Sequence, residues 1–157
     1  MGEMIYKWKI PGVHKVDAAV AAAEINRLSL EGKSTPQGLV DASRPVDAPL
    51  HAEFEWEDSV AAEEWRKQQA RVIYASVVYV HEDKEDSEPV RYTFKVSEVS
   101  PVYKPITYFT ETVDGKASLL RQALKELRSF SKKYNMLQGE LGKLFEVIND
   151  VEAKLAK

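Results

Sequence analysis

Cysteine is absent from the 157 residues. That excludes a disulfide staple, a thiolate metal site and a cysteine nucleophile, and it fits a reducing compartment. No apolar run approaches the ~20 residues needed to cross a bilayer. The N-terminus has no apolar segment behind a basic start, so secretion is not expected. There is no glycine-rich phosphate loop, no G-x-S-x-G elbow and no H-E-x-x-H pair. The three histidines, His14, His51 and His81, fall on separate segments without ligand-like spacing. Carboxylates are plentiful, but none has a convincing apolar setting; Glu55, between Phe54 and Trp56, comes closest, and one carboxylate is not a mechanism. The expectation is a protein without catalytic residues, cofactor or metal.

What is present is an ordinary globular composition at single-domain length, 44% hydrophobic and 30% charged. The net charge of −3 argues against bulk non-specific nucleic-acid binding. Its distribution is uneven. Residues 116–157 hold nine Lys/Arg against five Asp/Glu, about +4, which leaves about −7 for the remainder.

The chain is organised around the stretch from Leu50 to Tyr74. Asp58 or Ser59 supplies N-cap chemistry, Glu63 and Glu64 sit at the positive end of the helix dipole, and Glu63 and Lys67 are an i,i+4 pair. Ala61, Ala62, Trp65, Gln69 and Val72 share one face, the expected buried one, with Phe54 and Trp56 folding back onto it. The reading is a central core helix. The functional alternative makes Arg66, Lys67 and Arg71 a binding edge. The pattern L-H-x-x-F-E-W-x4-A-A-x3-R-x2-Q-A-R, from Leu50 to Arg71, resembles a segment of small proteins encoded by bacteriophages and prophages. Tyr6-Lys7-Trp8 and Thr35-Pro36 look similar as well. The resemblance covers about the first half of the chain. It implies a mobile-element origin and the cytoplasm of a bacterial host, and it implies no reaction.

Before this stretch, Met4–Ile10 alternates as a strand that ends at Pro11-Gly12 and must find a sheet later in the chain. Val16–Leu30 reads as a helix with Asp17 at its cap and a stripe of Ala18, Ala21, Ile25 and Leu28. Thr35-Pro36 is an N-cap followed by proline at the first helical position, opening a short helix that buries Leu39 and Val40. Three helices in this order have the outline of a helix-turn-helix, with Lys33 and Arg44 placed for phosphates, although many small helical units share it.

After Arg71 the period becomes two-fold. Ala75–His81 and Val90–Val96 read as an antiparallel hairpin with the acidic Glu82–Pro89 as its solvated tip. Its spacing is not that of a calcium loop. Ile106–Thr112 reads as a third strand, closed by an Asp114-Gly115 turn.

The C-terminal segment is the most periodic. Leu120, Ala123, Leu127, Phe130, Tyr134, Leu137, Leu141, Leu144, Ile148, Val151 and Leu155 follow steps of three and four, an a/d heptad pattern. Unbroken phase favours one long helix, while Gly139 and Gly142 leave open a hairpin bent at Asn135–Gly142. Arg121, Lys125, Arg128 and Lys132 form a basic stripe opposite the apolar seam, read either as a solvated face or as a contact for nucleic-acid backbone or an acidic protein.

The expectation is therefore an α+β protein. Residues 1–115 form the body, with a helical unit at 13–74 and a β-meander at 75–113, and residues 116–157 form a helical appendage. The basic candidates are Arg66, Lys67, Arg71, Arg121, Lys125, Arg128 and Lys132. The self-association candidates are Leu127, Phe130, Tyr134, Leu137, Leu141, Leu144, Ile148 and Val151, in a homodimer. The function expected is a non-enzymatic phage-type accessory protein associated with DNA, or alternatively a module that binds a host or phage protein.

Overall fold

The computed structural model of the chain describes residues 2–57 and 62–155. The expected cap at Asp58 or Ser59, and Ala61, lie outside the described residues. The fold is α+β. β1 (Met4–Trp8) leads to α1 (Ala18–Leu30), α2 (Pro36–Ser43) and α3 (Ala62–Ser76), which runs directly into β2 (Val77–His81). β3 (Val90–Arg91), β4 (Thr93–Lys95) and β5 (Tyr103–Pro105) follow, then α4 (Ile106–Glu111), α5 (Val113–Lys133) and α6 (Gln138–Leu155). No helix among the described residues is long and apolar enough to cross a membrane.

Local chemistry sets the helix starts. The Asp17 carboxylate accepts from Ala19 N, and Thr35 Oγ1 accepts from Gly38 N ahead of Pro36. α1 stops where Gly32 takes φ +71°, a conformation costly for a side-chain-bearing residue. The α1 stripe is buried as its spacing requires, with Ala21 and Ile25 fully enclosed.

β1 finds its sheet as expected, antiparallel to β2 from Met4↔His81 to Trp8↔Val77, and β3 pairs on the other side of β2 through Val78↔Arg91 and Tyr79↔Val90. The expected meander breaks there. Tyr92 N donates to Val77 O while Tyr92 O accepts from Ile106 N, and the chain turns into a separate two-stranded sheet, Thr93↔Pro105 to Lys95↔Tyr103. Thr93 is fully buried, with Oγ1 donating to Tyr74 O at 2.8 Å.

One core joins α1, α2 and α3 to the sheets through Ile25, Leu28, Leu39, Leu50, Ile73 and Val77. Tyr74 and Tyr103 stack within it at 4.1 Å.

Two further expectations are corrected at the end of the body. Ile106–Glu111 is helical, not a third strand. Pro105 fixes its start, and Phe109 is buried edge-on against Phe94 at 5.8 Å, so packing overrides a strand-like composition. Asp114-Gly115 is no turn but the first turn of α5, where Thr112 Oγ1 accepts from Gly115 N.

The C-terminal segment is helical throughout but reverses direction, so the hairpin option holds over one uninterrupted helix. α5 ends at Lys133, a single 3-10 turn spans Asn135–Leu137, and α6 returns. Arg128 Nε meets Glu152 Oε1 at 2.7 Å and the rings of Phe130 and Phe145 lie 6.4 Å apart. In one straight helix residues 128 and 152 would stand ~36 Å apart. Folding back buries Phe145 and Ile148, at ~1.5–3 kcal/mol for each large apolar side chain, a gain that a lone extended helix forgoes.

Candidate functional site

The segment from Leu50 to Arg71 is built as a latch. Leu50 and Phe54 enter the core. His51 Nδ1 bonds the Ser43 carbonyl at 2.9 Å and its ring stacks on Trp56, whose indole N–H donates to His51 O at 2.8 Å. Gln69 Oε1 accepts from Glu55 N.

Arg66 closes the latch. It is 3% exposed, donates through Nε to Glu55 O at 2.7 Å, pairs with Glu63 at 3.1 Å and lies 5.0 Å over the Trp56 ring. Arg66 is therefore no binding edge. The buried stripe of α3 is Ala62, Arg66, Ala70, Ile73 and Tyr74, while Trp65 and Val72, expected inside, are 57% and 44% exposed. The helix is rotated because the loop carbonyls of residues 55 and 57 need a donor, and one guanidinium serves both. Lys67 pairs with Glu64 rather than with Glu63, and Arg71 is exposed with a bond to Gln68.

The outward side of α2 is closed in the same way. Gln37 Nε2 bonds Asp41 and Glu63, and Arg44 bridges the same two carboxylates. Those donors hold the Glu63 carboxyl near 2, with the Gln37 amide the largest cause and the Arg44 guanidinium next. Lys33 reaches Glu31 at 3.9 Å. Lys33 and Arg44, the cations that flank α2, are thus both ion-paired.

A second enclosed pair stands beside the outward face of α3. Glu53 accepts from Lys15 N and Val16 N at 2.6 and 2.7 Å and meets His14 Nδ1 at 3.0 Å, with the His14 ring stacked on Trp8 at 3.7 Å. Val13, Trp65, Gln69 and Val72 rim a cavity of about 240 Å³ above it. Three donors from consecutive residues on one carboxylate make this a tie between the start of α1 and the turn at His51–Glu53. Among the described residues no group of His, Asp and Glu is placed to hold a metal ion.

The hairpin is different, because it is left open. Ser118 and Gln122 tie the first half of α5 to the carbonyls of Val96 and Lys95. Beyond them Leu127 and Phe130 on α5, Leu137 in the turn, and Leu144 and Val151 on α6 each remain between 36% and 44% exposed. Of the self-association candidates, Ile148 is consumed inside the hairpin, and Tyr134 and Leu141 are half-buried. Leu120 and Leu155, in the heptad pattern but not among the self-association candidates, are open as well, at 40% and 49% exposed, as is Val147, outside the pattern, at 56%. The wider apolar stripe of the C-terminal helix was the available signal for Val147.

The basic stripe runs along α5 on the side away from this face. Arg121, Lys125, Arg128 and Lys132 line a shallow groove of about 490 Å³ together with Ser129. Two of the four are engaged, Lys125 by Glu98 and Arg128 by Glu152. Such exposed pairs are worth ~0–1 kcal/mol and exchange readily. Compared with protein-family models, curated proteins and solved structures, the chain matches none.

Proposed function

We propose that this chain is a non-enzymatic accessory protein that works by protein–protein contact, with the α5–α6 hairpin as its docking element. One observation carries the reading: a continuous row of large apolar side chains stands open on one side of a well-formed hairpin, while the polar clusters elsewhere are closed on themselves. An exposed row of that kind is costly to leave in water and marks an interaction site. The resemblance of residues 50–71 to phage and prophage proteins supports a role inside a bacterial host carrying such an element.

A second reading keeps nucleic acid as the partner. Its support is the α5 groove, where Arg121 and Lys132 carry no ion pair among the described residues. Binding of that kind weakens steeply with salt.

Capture from host lysate, with and without nuclease, separates the two readings. Retention after nuclease that is lost in Leu144→Glu supports the hairpin as docking element. Capture that disappears with nuclease, and with reversal of the four basic residues of the groove, supports the second reading and removes the first.

A further inference from the structure

We infer that the occupant of the open hairpin face is a second copy of this chain, the two hairpins closing face to face into a four-helix bundle about a two-fold axis. The inference rests on the docking role of the hairpin proposed above and names the partner.

Three observations carry it. The first is register. At ~100° per residue, Leu120, Leu127 and Phe130 fall on the side of α5 that flanks its contact with α6. Leu144, Val151 and Leu155 flank that contact from α6. The Arg128–Glu152 pair marks the opposite side of the same contact. Because the helices are antiparallel, the two apolar rows lie on one face. A face contributed by two antiparallel helices is what half of a four-helix bundle presents.

The second is size. The eight large side chains on this face are 36–56% exposed. That is on the order of 500 Å² of side chain, which with its polar rim approaches the ~800 Å² per partner of a standard interface.

The third is charge. Glu126 and Lys133 flank the face on α5, and Glu140 and Lys154 flank it on α6. None of the four has an ion pair among the described residues, although Lys133 rests on the Tyr134 ring at 5.3 Å. Signs alternate along both helices. A two-fold that lays α5 on the partner's α6 therefore brings Glu126 toward Lys154 and Lys133 toward Glu140. A two-fold that lays like helices together brings Glu126 toward Lys133. The rim is its own complement, which an isologous interface requires. Pairing leaves the basic groove of α5 on the outside, so a dimer carries two.

Light scattering on the intact protein at ~100 µM tests this, since an interface of ordinary size holds well below that concentration. A mass near twice 17.8 kDa is expected. Leu144→Glu is expected to raise the dissociation constant by about a hundredfold or more. Arg121→Glu, on the far side, is expected to leave it unchanged. Far-UV circular dichroism shows that each variant is folded; Leu144→Ala, which adds no charge, replaces Leu144→Glu if that variant is not. A single chain mass for the folded wild type overturns the inference, as does a dimer indifferent to both Leu144 substitutions. Lysate capture that still depends on Leu144 would then show that the docking reading survives with a different occupant.

Discussion

The Arg66 guanidinium carbon stands 5.0 Å over the Trp56 ring while its Nε donates to the Glu55 carbonyl. A residue that reads as a surface cation in the sequence is thus a pin that fixes the aromatic loop to α3. Arg66→Ala removes a buried guanidinium together with its bonds to the Glu55 carbonyl and Glu63 and uncovers the indole, and a loss of about 2–4 kcal/mol is expected in urea unfolding. Lys67→Ala, one position along and paired with the exposed Glu64, is expected to stay within about 0.5 kcal/mol of wild type. Equal losses in the two variants would contradict the latch.

Glu63 gives the same cluster a pH signature. Its carboxyl is held near 2 by the Gln37 amide and the Arg44 and Arg66 guanidiniums, against ~4.3 in an unfolded chain. The folded value is the lower one, so the contribution is complete above ~4.3 and is lost as pH falls toward 2. Unfolding midpoints measured through that window are expected to fall more steeply for wild type than for Glu63→Gln. Parallel curves would show that Glu63 is not coupled to folding.

Two glycines on the hairpin helices have opposite expectations. A Cβ on Gly115 would run into the Tyr108 carbonyl and Thr112 Oγ1, where α4 turns into α5. A Cβ on Gly139 would meet nothing. Gly115→Ala is expected to destabilise by about 1–3 kcal/mol, and Gly139→Ala to stabilise by about 0.5–1 kcal/mol through lost unfolded-state freedom. Thermal unfolding of the two variants checks the signs.

Much of the fold was legible because local chemistry dictates it. Asp17 and Thr35-Pro36 start helices wherever the chain goes next, the α1 alanine stripe has one apolar side to bury, and the alternation of β1 sets its faces. Legibility ended where a distant group decides. Trp65 reads as core until the bare carbonyls of residues 55 and 57 call Arg66 inward. Ile106–Glu111 reads as a strand until Phe94 offers Phe109 a pocket. Heptad phase alone does not separate one long helix from two that fold back, since burial of Phe145 and Ile148 satisfies the same spacing. For the candidate site, the apolar row was foreseen from spacing, whereas its division into enclosed and open members needed the reversal at Asn135–Leu137.

The most direct test of the open hairpin face uses the absence of native cysteine, because any thiol introduced is the only one present. Leu127→Cys, Leu144→Cys and Val151→Cys, alone and mixed in pairs, are oxidised mildly beside Lys132→Cys, which lies on the basic side. Pairing through this face predicts covalent dimers from the face positions, at least for one mixed pair, and none from Lys132→Cys. Failure of every face position to cross-link, or equal yield from Lys132→Cys, would contradict it.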